Sequence, residues 1–169
     1  MKERIALFPG SFDPITKGHE SIVLRALPLF DKIIVAIGEN PAKKHLSEMF
    51  SFQQRLLWLK QTFANFDKIE IKSFSCLTID FARQTGAEYI LRGLRNPTDF
   101  QYESNIARIN QDLSPEIETV FLMTTPEDAI ISSSLVKEIL TFGGDIRRFL
   151  PLQVAETIVK ATQVICTNT

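Results

Sequence analysis

His19 closes the stretch Phe8-Pro9-Gly10-Ser11-Phe12-Asp13-Pro14-Ile15-Thr16-Lys17-Gly18-His19. Before it runs Ile5-Ala6-Leu7-Phe8, which reads as a buried strand, and after it Ile22, Val23, Ala26, Leu27 and Phe30 recur at helical spacing. Pro9-Gly10 should turn the chain out of the strand, and Gly10, without a Cβ, should admit a ligand close to the backbone. A helix beginning at Thr16 or Lys17 places Gly18 and His19 in its first turn. Unpaired N–H groups and the positive end of the helix dipole favour a phosphate there. Neither a Walker-A loop nor a Gly-x-Gly-x-x-Gly string occurs, so the ordinary nucleotide loops are excluded.

Other residues could serve the same chemistry. Arg92 and Arg95 flank Gly93-Leu94, Lys43 stands beside Lys44 and His45, and Ser132, Ser133 and Ser134 lie where a helix should start. Arginine offers a two-pronged fit to phosphate oxygens. The serines suit a polyphosphate, ordinary helix capping, or both. Lys44 and His45 are expected to face solvent, and Lys17 adds a cation near the first turn.

Strand-like and helix-like patterns alternate along the whole chain. Residues 32–37, 68–74, 89–91 and 119–123 read as further strands. Helices are expected after Ser51 (Phe52, Leu56, Leu59, Phe63), over 77–85 with Gly86 as the stop, and from Thr98 or Asp99 with Tyr102, Ile106, Ile109 and Leu113 on one face. Two more follow, one from the serines to Gly143-Gly144 and one over about 152–164. Trp58 is read as packing. The pattern predicts an α/β, Rossmann-like, doubly wound sheet of five parallel strands with helices on both faces, in one domain spanning 1–169. Such sheets bind ligands beyond the carboxyl ends of their strands. Residues 10–19, Lys43, 92–95 and 131–134 each follow a different strand, so the phosphate-binding candidates should converge on one rim.

Thr16-Lys17-Gly18-His19 resembles the T/H-x-G-H signature of the nucleotidyltransferase superfamily. The longer string from Gly10 to His19, with Pro41-x-Lys43-Lys44, Leu91-Arg92-Gly93-Leu94-Arg95, Asp99-Phe100-x-Tyr102-Glu103 and residues 131–138, is similar to bacterial phosphopantetheine adenylyltransferases. The resemblance covers about residues 4–160. It implies adenylyl transfer from ATP to 4′-phosphopantetheine, giving dephospho-coenzyme A and pyrophosphate, the penultimate step of coenzyme A synthesis. By that resemblance His19, as neutral tautomer or cation, donates to the α-phosphate, and Ser11 meets the reacting phosphates with a hydroxyl where the family often has threonine. Lys43 and Arg92 hold the acceptor phosphate, with Thr78 on the pantetheine side or serving as a helix cap. Phe12, Gly93, Leu94, Arg95, Glu103, Asp128, Ala129, Ile130, Ile131, Ser132, Ser133 and Ser134 fall at ATP-binding positions. Glu127-Asp128-Ala129-Ile130 departs from the family, which often carries an aromatic there. Magnesium is expected with ATP, coenzyme A as a possible inhibitor, and a homohexamer as the assembly.

The chain has 169 residues, 44% apolar and 23% charged, with net charge −1. That composition offers no polybasic field for nucleic acid or a membrane surface. Cys76 and Cys166, far apart and without a Cys-x-x-Cys pattern, argue against structural zinc. No apolar run reaches spanning length, and a cytoplasmic protein with free thiols is expected. The alternatives are a related nucleotidyltransferase with another acceptor, or a non-catalytic nucleotide-binding module.

Overall fold

Short β-branched runs separated by amphipathic stretches build alternating strands and helices. The computed structural model describes residues 2–39 and 48–166, with side chains to residue 160. The strands are β1 (Ile5–Gly10), β2 (Lys32–Gly38), β3 (Ile69–Phe74), β4 (Tyr89–Leu94) and β5 (Glu118–Met123). The helices are α1 (Lys17–Ala26), α2 (Phe52–Thr62), α3 (Thr78–Thr85), α4 (Pro97–Leu113), α5 (Ser133–Thr141) and α6 (Leu152–Cys166). All strand pairs are parallel, in the order β3-β2-β1-β4-β5. Winding reverses between β1 and β4, and a crevice opens at such a reversal.

Successive strand residues point to opposite faces. Ala6, Phe8, Ile33, Val35, Ile37 and Leu91 pack against α1, α2, α5 and α6, whose contributions include Ile22, Trp58, Val136 and Val154. Leu7, Ile34, Ala36 and Ile90 alternate to the other face, which Ile79, Phe81 and Ala82 of α3 cover. Trp58 is 2% exposed and meets the Phe50 ring edge-on, so it is packing as expected.

The structure differs from the sequence reading in several places. β4 does not stop at Leu91: Arg92, Gly93 and Leu94 pair with Phe121, Leu122 and Met123, because the neighbouring strand extends the ladder past the apolar run. α4 starts one or two residues earlier, at Pro97, capped by Asn96. No residue of α4 is buried; Tyr102 is 66% and Ile109 59% exposed. Its apolar stripe therefore lies on the surface or along a groove rather than in the core. Gly86 ends α3 at φ 70°, a left-handed conformation suited to glycine.

Candidate active site

The turn after β1 is fastened at several points. Thr16 caps α1, its Oγ1 accepting the His19 N–H at 3.4 Å, while the Thr16 N–H donates to His19 Nδ1 at 3.1 Å. A backbone N–H can only donate, so Nδ1 is the acceptor and the ring proton resides on Nε2. The ring is flanked by Phe8 and Phe12, with centroids 6.4 and 5.2 Å away. Burial first, then the charges of Arg95 and Arg92, push the His19 pKa down from 6.5 to about 4. In the ligand-free protein it is a neutral donor at neutral pH.

Gly10 has a role beyond the expected one. It is still within β1, paired with Ile37, so the chain does not leave the strand there. It lines the cleft, and a Cβ would lie 2.8 Å from Phe12 Cζ, so glycine also makes room for the Phe12 ring. Phe12 itself sits at φ 45°, unusual for a bulky residue and costing roughly 1–3 kcal/mol. Asp13, 4% exposed, helps hold this turn: it accepts from the Met49 and Phe50 N–H groups, each at 3.0 Å, and from Lys137 Nζ at 2.9 Å. Gly18, in the first turn of α1, lines the cleft, and a Cβ there would make only ordinary contacts with Thr16 and Asp128.

The opposite wall comes from β4 and α4. Arg92 donates through Nε to Glu103 Oε2 at 2.7 Å, through Nη2 to Glu103 Oε1, and through Nη1 to the Pro9 carbonyl at 2.9 Å. Arg95 forms a second fork with Asp99, at 2.8 Å from Nε and 3.1 Å from Nη2. Each cation thus faces a carboxylate while keeping further N–H donors. Gly93, between them, lies so close to α1 that a Cβ would meet Ile22 Cγ1 at 3.0 Å.

The third side is the start of α5. Ser132 is the cap, accepting from the Leu135 N–H at 3.1 Å, and Ser133 Oγ donates to the Pro14 carbonyl at 2.8 Å. Capping and convergence on the cleft occur together.

These elements enclose a cleft of about 340 Å³ at the β1–β4 reversal. Ser11, Phe12, His19, Arg92, Gly93, Arg95, Glu103, Ile131, Ser132, Ser133 and Ser134 all line it. Leu94, Asp128, Ala129 and Ile130 lie outside this lining. Leu94 is buried with its carbonyl accepting from Thr124, Asp128 packs beside Gly18, and Ile130 is 65% exposed. Lys17 also lies outside the lining and is exposed. Lys43, Lys44 and His45 fall outside the described residues.

Next to this cleft is a groove of about 260 Å³ lined by Leu77, Thr78, Ile106, Ile109, Asn110 and Leu113, with Pro9 and Arg92 common to both. Thr78 is not the helix cap: Leu77 holds that position, leaving the Thr78 side chain on the groove. Asp99 was not anticipated as a cleft residue. Its spacing of i+4 from Arg95 was the available signal.

The cytidylyltransferase-like family model matches residues 7–139. The chain is 48% identical over 151 residues to a phosphopantetheine adenylyltransferase of Cytophaga hutchinsonii, covering 89% of this chain and 99% of that one. This chain belongs to the phosphopantetheine adenylyltransferase family, within the cytidylyltransferase-like group. A Clostridium perfringens relative of the same name is 44% identical over 92% of this chain and 93% of its own. The fold is shared with a Vibrio parahaemolyticus protein provisionally described as a nicotinate-nucleotide adenylyltransferase. That structure has a TM-score of 0.67 at 17% identity, covering 94% of this chain and 99% of the other.

Proposed function

We infer that the protein transfers the adenylyl group of ATP to 4′-phosphopantetheine, releasing pyrophosphate and forming dephospho-coenzyme A in coenzyme A biosynthesis. The observation that carries this reading is Arg92, common to a polar cleft containing His19 and a groove of mainly apolar lining. A polyphosphate fits the first, and the arm of an acyl-carrier cofactor fits the second. Their phosphates would meet at the arginine. The names of the relatives support the same acceptor.

The attacking oxygen belongs to a phosphate that is already anionic, so no strong general base is needed. It displaces pyrophosphate from the α-phosphorus, and the chain contributes position and charge stabilisation. His19 donates its Nε2 proton as a hydrogen bond to an α-phosphate oxygen, with Nδ1 held by Thr16. Ser11 and the N–H groups at the start of α5 receive the polyphosphate, with Arg95 beside them. Arg92 and Thr78 take the acceptor, and Lys43 is assigned to the acceptor phosphate by sequence alone.

Among the described residues no group of His, Cys, Asp or Glu could cage a metal ion, and the cleft carboxylates Asp99 and Glu103 are paired with arginines. Magnesium is proposed to arrive on the ATP phosphates. A homohexamer is proposed from the family reading and from the exposed apolar residues of α4. The chain is proposed to act as one cytoplasmic domain, with coenzyme A as an inhibitor competing for the groove. No helix among the described residues is long and apolar enough to cross a membrane.

Pyrophosphate release from ATP, followed with 4′-phosphopantetheine, nicotinamide mononucleotide or glycerol 3-phosphate as acceptor, tests the assignment. Turnover with the first alone is expected. Preference for another acceptor, or binding of ATP with no turnover, would overturn it.

A further inference from the structure

Arg55 of α2 is 1% exposed, an uncommon position for a guanidinium, and nothing in the mechanism above employs it. Its Nη1 donates to the carbonyl of Ser11 at 2.7 Å, and its Nη2 pairs with Glu48 Oε2 at 2.8 Å. Its Nε has no partner, so the buried cation is not there to satisfy a hydrogen-bond network of its own. Arg55 lies outside the cleft lining, whereas Ser11 and Phe12 belong to it.

The Ser11–Phe12 peptide is trans, so its N–H points opposite to its C=O. With the carbonyl drawn down onto Arg55, the Phe12 N–H is directed away from the arginine. It meets no acceptor among the described residues. The positive φ of Phe12 is part of this arrangement. We propose that Arg55 is a positioning residue for adenylyl transfer: by gripping the Ser11 carbonyl from beneath, it turns the Phe12 N–H into the cleft as a fixed phosphate donor. Glu48 orients the guanidinium from the other side. The inference rests on the adenylyl-transfer reading for its kinetic arm only.

Arg55→Met preserves bulk and removes both donors, and Arg55→Ala leaves space for a small cation. In Arg55→Met, kcat is expected to fall on the order of 10²-fold, the scale of losing one aimed donor. The acceptor KM should stay within about twofold of the unsubstituted protein, since its groove is untouched. Millimolar guanidinium should restore part of the Arg55→Ala activity, which a purely structural loss would not allow. Independently of turnover, in ¹⁵N-phenylalanine-labelled protein, ATP should shift the Phe12 amide, and Arg55→Met should abolish that shift.

A folded Arg55→Met variant with unchanged kcat and an unchanged Phe12 response overturns the proposal. If both arginine variants fail to fold, Glu48→Gln decides. It loosens one anchor of the guanidinium and should lower kcat about threefold with unaltered acceptor KM, whereas unchanged kcat overturns the role. An inactive unsubstituted protein would sink the functional reading alone, because the amide response still tests Arg55.

Discussion

The two walls of the cleft are held by different means. On the β1–α1 side, hydrogen bonds within the chain fix the turn: Asp13 ties it to the Met49 and Phe50 N–H groups, and the Thr16 box fixes His19. On the β4–α4 side, Arg92 and Arg95 are partly exposed and paired with Glu103 and Asp99. The first wall is built before any ligand arrives. The second presents cations whose present partners are anions, which an arriving phosphate can supplement or replace. Rigid geometry suits the group proposed to meet the α-phosphate, while exchangeable pairing suits substrates that bind and leave.

Substitutions on the two walls should therefore fail differently. The largest effect is expected from His19→Ala, with kcat falling roughly 10²–10³-fold, the scale of a lost transition-state donor. ATP binding measured by calorimetry should stay within a few-fold; a parallel collapse of ATP affinity would assign His19 to ground-state binding. Asp13→Ala should destabilise the fold by about 3 kcal/mol in urea unfolding, since buried N–H groups lose their acceptor. Unchanged stability would mean that the first wall is not fixed as described.

On the other wall, Arg92→Lys should raise the acceptor KM roughly tenfold with a smaller change in kcat, because an ammonium cannot reproduce the fork. A pure kcat effect would erase the contrast between the walls. The smallest effect concerns protonation. With His19 held near 4 in the fold and near 6.5 when unfolded, the unfolded chain binds the proton first. This contribution to stability is full above about pH 6.5 and is lost as pH falls towards 4. An NMR titration of the His19 ring in the ATP-free protein should have its midpoint near 4; a midpoint near 6.5 would contradict the enclosed neutral ring.

Strands and helices were readable because period and capping are local signals: Thr16, Ser51 and Gly86 all act at the ends assigned to them. Residues 10–19, 92–95 and 131–134 were placed on one rim by the order of elements alone. The supports beneath them were not legible. Asp13 read only as part of a turn, because Met49, Phe50 and Lys137 are remote in the chain. Arg55 had a fainter signal, lying on the same stripe of α2 as the buried Trp58, Leu59 and Thr62. The stripe expected from Phe52, Leu56 and Leu59 was rotated away from it. The apolar residues of α4 were legible as a face but not as core or surface, since periodicity marks a face and not what covers it.

Gly93 links the two walls, and its contact with Ile22 makes the spacing between Arg92 and His19 depend on a single missing methyl group. Adding that carbon would act as a wedge between strand and helix, widening the gap across which two phosphorylated molecules must touch. Catalysis should thus be sensitive to a residue with no side chain to offer the substrates, through the separation it permits.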